Sequence, residues 1–270
     1  CLFMVKKKKP NTDASTSPSD NDPCVNQLKS KYADVFTESP PHGGSQIQLD
    51  FEVIPTEPGV KPALRPMYRY SPAEMEEMEK QIKLLLELGY IQPSTSNYGA
   101  PVLFVKKPRS TELRMVCDYR FLNKLTKRIS FPLPRIDQLF DHLANAKVFS
   151  LIDLRQAYHQ AKLQPSDIPK TAFRCPLGHF EWLTLSFGLV NAPSAFQSMM
   201  QKLYGKLLYK CVLIYLDDIL VYSPNEEQHA KDLDAVLQIL KANRLTAAIH
   251  KCSFYQKEVL FLGHIVSGEG

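Results

Sequence analysis

The chain has 270 residues, 44% of them hydrophobic and 23% charged, with a formal net charge of +5. That is enough chain for one or two domains with a sizeable core, in the balance of a soluble globular protein rather than a fibrous or disordered one. No apolar run approaches the ~20 residues that span a bilayer. The six cysteines are dispersed with no Cys-x-x-Cys pair, which argues against a zinc site or a disulfide scaffold and fits a reducing compartment.

The chain starts at Cys1, has no signal peptide, and is expected to be a piece of something longer. Residues 1–30 are expected to be a disordered linker. Lys6–Asp22 (KKKKPNTDASTSPSDND) is polar and poor in apolar groups, with Lys6–Lys9 a solvated run within it. Asp50–Ser71, with Pro55, Pro58, Pro62 and Pro66, reads as extended. Ser71–Glu74 (SPAE) has the form of a capping box with Pro72 at the first helical position. It predicts a helix to about Leu88 that stops at Gly89 and turns Ile82, Leu85, Leu86 and Gly89 inward. Ala100–Pro108 (APVLFVKKP) and Leu113–Arg120 (LRMVCDYR) read as strands joined by a polar turn at Arg109–Glu112. Lys106, Lys107, Arg109, Arg114, Arg120, Lys124, Lys127 and Arg128 concentrate there. Such a block suits phosphates, or is an ordinary solvated face.

From Lys147 the order of elements becomes informative. Val148–Asp153 (VFSLID) reads as a strand ending in an acid, and TAFRC and FEWLTL as a hairpin around Pro176–His179. Asn191–Leu208 reads as a helix capped by Asn191. Cys211–Ser223 (CVLIYLDDILVYS) reads as two strands with Asp217 and Asp218 at the tip between them. A helix over Asn225–Asn243 and a strand from Val259 (VLFLGHIVS) follow. With the inserted hairpin set aside, this is β-α-β-β-α-β, the split βαβ or ferredoxin-like order. The first and third strands are then central neighbours, and Asp153, Asp217 and Asp218 converge at one edge.

An Asp-Asp pair is compatible with a hairpin tip that merely faces water. Three converging carboxylates repel one another and call for a counter-charge. Hard divalent cations, Mg²⁺ above all, take such oxygen ligands and keep positions open for phosphates. Two of them can activate a 3′ hydroxyl and stabilise a leaving pyrophosphate. His159, His179 and His264 are read as packed or surface histidines, Trp182 as hairpin core, and Tyr215 and Tyr222 as packing.

Six collinear stretches resemble a known family: FVKK, RMVCDYRFLNK, FSLIDLRQAYHQ, TAFRCPLGHFEWLTLSFGLVNAPSAFQ, YLDDILVYS and FLGHIVS. From about Lys31 to Gly270 the chain resembles the fingers and palm of a reverse transcriptase of the gypsy-like LTR retrotransposon type. The resemblance implies an α+β right-hand polymerase fold. Residues 31–147 would be an N-terminal extension and fingers, and 148–270 a palm with a fingers-type hairpin at 165–185, ending before a thumb. The palm would be a ferredoxin-like βαββαβ sheet with helices on one face.

Carried over by position, the resemblance makes Asp153, Asp217 and Asp218 the catalytic, metal-binding triad, with Asp218 the less intimately coordinated. Lys107 and Arg114 would contact the triphosphate. Tyr158 would lie under the sugar and exclude a 2′ hydroxyl, and Phe187 and Gly188 would pack the nascent base pair. Leu216 would touch the primer end, and Leu262, Gly263 and His264 would steady the primer strand. Ser186 stands where Pro commonly precedes Phe-Gly, and Phe187 replaces the Gln of many retroviral enzymes. The activity implied is RNA-directed DNA polymerisation with two Mg²⁺ ions, for which Mn²⁺ could substitute. Its partners would be an RNA or DNA template with primer and dNTPs, without a membrane. RNase H and integrase would sit on the full polyprotein, in a cytoplasmic virus-like particle. Two other readings stand beside it: an RNA-dependent RNA polymerase, which Tyr158 disfavours, and a decayed or domesticated fragment that only binds nucleic acid.

Overall fold

The computed structural model describes residues 23–37, 42–106 and 112–268. Lys6–Lys9, Lys107 and Arg109 lie outside them. In chain order the elements are α1 (Pro23–Lys31), α2 (Pro72–Glu87), β1 (Ile91–Pro93), β2 (Ala100–Lys106), β3 (Leu113–Cys117), α3 (Arg120–Leu125) and α4 (Ile136–Asp141). Then come β4 (Val148–Asp153), β5 (Phe173–Cys175), β6 (Gly178–Trp182), α5 (Ala192–Tyr204), β7 (Val212–Tyr215) and β8 (Asp218–Ser223). The chain closes with α6 (Glu226–Ala242), β9 (Ser253–Gln256), β10 (Glu258–Phe261) and β11 (His264–Ser267). They fall into two compact units. Of the described residues, one unit takes 23–37, 132–155 and 197–268, and the other 42–106, 112–131 and 156–196.

The first unit is built on an antiparallel sheet in the order β7-β8-β4-β9. The first and third expected strands are therefore neighbours, paired from Val148↔Ser223 to Asp153↔Asp218. The fourth strand differs from expectation. The short, half-polar Ser253–Gln256 takes the outer place, and the segment from Val259 folds on itself as the β10–β11 hairpin. Its two-residue turn, Leu262-Gly263, has φ of 51° and 80°, the left-handed pair that tight hairpins require. Phe149, Leu213, Leu220 and Tyr222 pack with Leu139, Val259, Phe261 and Val266 into one core. The other face carries Ser150 toward α6, whose Leu233, Val236, Leu237 and Leu240 are buried. Tyr204 of α5 donates to Val236 O at 3.4 Å, tying α5 to α6. Helices on one face is thus too simple, because α4 contributes Leu139 to the opposite core.

The linker expectation fails from Pro23 onward. Val25, Leu28 and Tyr32 recur at helical spacing, and Val25 and Tyr32 are buried. Tyr32 Oη donates to Asp234 Oδ1 at 2.6 Å, and Lys31 pairs with the same carboxylate. A buried polar chain crosses the sheet. Ser150 Oγ meets His229 Nε2 at 2.7 Å, His229 Nδ1 meets Ser223 Oγ at 3.0 Å, and that hydroxyl donates to Asp232 Oδ2 at 2.7 Å. Such groups are tolerated inside because each is satisfied.

The second unit holds a five-stranded sheet among the described residues, β1-β6-β5-β2-β3, in which β2 and β5 run parallel. The capping box forms as the sequence predicts, with Ser71 and Glu74 exchanging bonds, and Gly89 has a φ of 66° just past the helix end. The inward face is displaced, however. Met78 and Ile82 are buried, whereas Leu86 is 36% exposed. Asn191 stands at the helix start, where its carbonyl accepts from Ala195 N at 2.9 Å, and its side chain makes longer-range bonds. It donates to Val53 O (2.8 Å) and Lys127 O (2.9 Å) and accepts from Ile129 N (3.0 Å), stitching three loops together. The helix begins at Ala192 and stops at Tyr204, short of Leu208.

Candidate active site

The hairpin that carries the paired aspartates turns one residue earlier than expected. Leu216 and Asp217 form the turn, and Asp218 opens β8 opposite Tyr215. Leu216 adopts φ 55°, a conformation costly for a branched side chain, so something must hold it. Gln197 of α5, wholly buried, does so with both ends of its amide. Its Oε1 accepts from Leu216 N at 2.7 Å, and its Nε2 donates to Ile214 O at 3.1 Å. Sequence reasoning passed over Gln197. The available signal was a single amide among Ala195, Phe196, Met199 and Met200.

Across the ladder Asp218 faces Asp153 directly, so the two side chains share a face. Asp217 is exposed beside them, and its carbonyl accepts from Leu154 N at 3.5 Å. Burial, then the charges of Asp217 and Asp153, push the Asp218 carboxyl up to about 6. Lys251 places Nζ 3.3 Å from Asp153 Oδ1. That lysine arrives on a short 3-10 turn, Ile249–Lys251, pinned by Ala248 N donating to Asp153 O at 2.9 Å. No sequence pattern marked it. Among the described residues, no group of three or more His, Cys, Asp or Glu side chains stands close enough to hold one ion as it is. The expected convergence is therefore seen as a facing pair with a third carboxylate adjacent.

The donor set suits a hard divalent cation. It consists of carboxylate oxygens, and the Asp218 carboxyl is held above its ordinary range by burial and by the two neighbouring carboxylates, with Lys251 offsetting only part of this. Asp218→Asn is accordingly expected to raise the thermal midpoint by a few degrees at pH 7 in chelator. Because the folded carboxyl titrates at about 6, above its ordinary value, its stabilising protonated form is lost as pH rises through 6. The gain from Asn is thus largest above that pH and vanishes below the ordinary carboxylate range. Calorimetry at both ends checks it, and a midpoint unmoved at pH 7 counts against the repulsion.

In the second unit, three residues expected at the nucleotide meet. The Arg114 guanidinium lies 4.1 Å over the Phe187 ring, and Tyr158 tilts against Phe187 at 4.8 Å. Tyr158 also meets Phe196 edge-on at 5.3 Å, and both Tyr158 and Phe187 are half-buried, leaving ring surface open. Gly188, exposed at φ 91°, would press an added Cβ to 3.4 Å from Cys117 O. Its carbonyl accepts from Asn123 Nδ2 at 2.8 Å, and Asn123 Oδ1 accepts from Val190 N. His159 is a packed histidine. It stacks on Trp182 at 4.7 Å and 3°, contacts Leu185 O through Nδ1, and is pushed down to about 4 by burial. His179 bonds Tyr98 O. Leu262 and Gly263 form the β10–β11 turn, and His264 packs edge-on against Phe140 at 5.2 Å.

Residues 105–266 match the reverse transcriptase (RNA-dependent DNA polymerase) family. The chain is 38% identical over 222 residues to the Tf2-3 and Tf2-7 transposon polyproteins of Schizosaccharomyces pombe, covering 82% of itself but 16% of each of them. Among solved structures it is similar to a foamy viral protease–reverse transcriptase in complex with double-stranded DNA, with a TM-score of 0.77 at 24% identity. That match covers 91% of this chain and 43% of that one. The same viral protein bound to an RNA/DNA hybrid gives 0.74 at 24% identity, over 91% and 33%. These likenesses show the fold, a mixed α+β polymerase architecture.

Proposed function

The chain belongs to the reverse transcriptase (RNA-dependent DNA polymerase) family, and from that premise we propose that it is the polymerase segment of an LTR retrotransposon polyprotein. It would add dNTPs to a primer 3′ end on an RNA or DNA template, with RNase H and integrase elsewhere on the polyprotein. The observation that carries this is the cross-strand pair Asp153↔Asp218 beside the Asp217 turn.

The family depends on divalent metal, and Mg²⁺ is proposed here, held by Asp153, Asp217 and Asp218, with Mn²⁺ a substitute. When bound, the two ions would lower the barrier to 3′-hydroxyl attack and stabilise the leaving pyrophosphate. Lys251 pairs with Asp153 and so offsets part of the charge that a cation held there would otherwise meet. Gln197 fixes the Asp217 turn so that little reorganisation accompanies the reaction. Arg114, with Lys107, would grip the triphosphate, its planar fork bonding two oxygens at once. Tyr158 and Phe187 would bear on sugar and base, and Leu216 and the Leu262–His264 turn on the primer strand.

Primer extension on an RNA template with Mg²⁺, by the chain as it stands and by one continued past Gly270, tests the proposal. Incorporation of dNTPs supports it, and template binding without any incorporation in either chain overturns it. Arg114→Ala is expected to raise KM for dNTP about tenfold or more, and Arg114→Lys to recover only part of that, because a point charge lacks the fork. Steady-state kinetics with KM indistinguishable from wild type would return Arg114 to the solvated surface.

A further inference from the structure

β4 and β7 run the same way, each antiparallel to β8, so the turns that precede them lie together at the sheet end opposite Asp153. Six residues of β4 at ~3.3 Å each separate the two ends by about 20 Å. At that far end His142 and Tyr209 stack, with centroids 4.8 Å apart and planes at 27°. Both are exposed, Tyr209 by 39%. Tyr209 holds φ 62°, a left-handed conformation that an aromatic residue seldom adopts without cause. Its amide donates to Val212 O at 2.9 Å, and the turn before it is closed by Leu207 N and Leu208 N, both donating to Tyr204 O.

Positive charge predominates around this stack, with the exposed Asp141 adjoining His142 as its acidic neighbour in sequence. Residues 202–210 (KLYGKLLYK) and 142–147 (HLANAK) contain no acid, and Lys147, Lys206 and Lys210 are exposed. From this we infer that the far end of the first unit binds single-stranded nucleic acid. A base stacks on the Tyr209–His142 pair while Lys206 and Lys210 meet the flanking phosphates. A held-out ring pair is a platform for any base, since every base has a π face, and lysines beside it track the backbone. An acidic peptide would be served by the lysines but would leave the strained ring without a purpose. The site stands apart from the polymerase chemistry and does not rest on it.

The test saturates the protein with a primer–template duplex and then adds a short labelled oligo-dT, followed by anisotropy. Wild type is expected to bind the added strand. Tyr209→Gly is expected to weaken it about tenfold, and Lys206→Gln with Lys210→Gln to lower the log–log salt slope by about 1.4. Glycine accepts φ 62° more readily than tyrosine, so lost binding in Tyr209→Gly is not lost folding, and an unchanged or higher melting point verifies this. No binding by saturated wild type, or full binding by Tyr209→Gly, overturns the inference. Equal competition by polyglutamate reduces the surface to charge alone and overturns it as well.

Discussion

Asp153→Asn and Asp217→Asn are each expected to cut primer extension about a hundredfold or more while leaving template–primer binding nearly unchanged. Asn keeps the shape of Asp but removes the charge that would hold a divalent cation. Asp153 sits at the end of a six-residue ladder and Asp217 in a turn pinned by Gln197, so neither substitution disturbs the framework. Rates measured over a range of Mg²⁺ concentration separate a lost ligand from a lost fold. Either variant working at more than a few per cent of wild type, with normal metal dependence, would remove that residue from the site.

Much of this was legible in the sequence where the governing interaction is local. The four-residue Ser71–Glu74 box announced its helix, and the strand order announced that β4 and β8 are neighbours. What escaped rests on contacts between distant residues. Lys251 reaches Asp153 across 98 positions and Gln197 reaches Leu216 across 19, neither at any periodic spacing. β9 was missed because SFYQ is short and half-polar, while the longer apolar run from Val259 imitates the sheet's fourth strand and is really a hairpin. Helix α1 went unread because only Val25, Leu28 and Tyr32 mark its inner face within a polar stretch.

Tyr158→Ala is expected to lower the preference for dNTP over rNTP incorporation about a hundredfold, with a smaller loss of dNTP use. The ring is held against Phe187 and Phe196, so it cannot easily swing aside from a bulkier sugar. Rejection by such a wall acts against the wrong substrate and disappears when the wall is cut away. If Tyr158 were only packing, its removal would depress incorporation of both sugars together. The ratio of incorporation efficiencies on one template, for wild type and variant, decides between these outcomes. An unmoved ratio with falling activity rejects the gate and revives an RNA-making polymerase.

The Asp153↔Asp218 pairing also bears on how the first unit finds its fold. Residues alternate along β4, with Phe149 and Leu151 toward one core and Ser150 toward α6. A slip of β8 by one position would reverse its faces and turn Asp218 toward the side of the sheet that α6 covers. An unpaired carboxylate there costs several kcal/mol, enough to empty the misaligned state. The same slip would carry Ser223 away from His229 and leave Nδ1 of that buried imidazole unpaired, with only the Ser150 contact at Nε2 kept. The charge on Asp218 therefore also disfavours the wrong strand alignment, so the pairing that sets Asp153 and Asp218 face to face is reinforced by where that carboxylate can be accommodated.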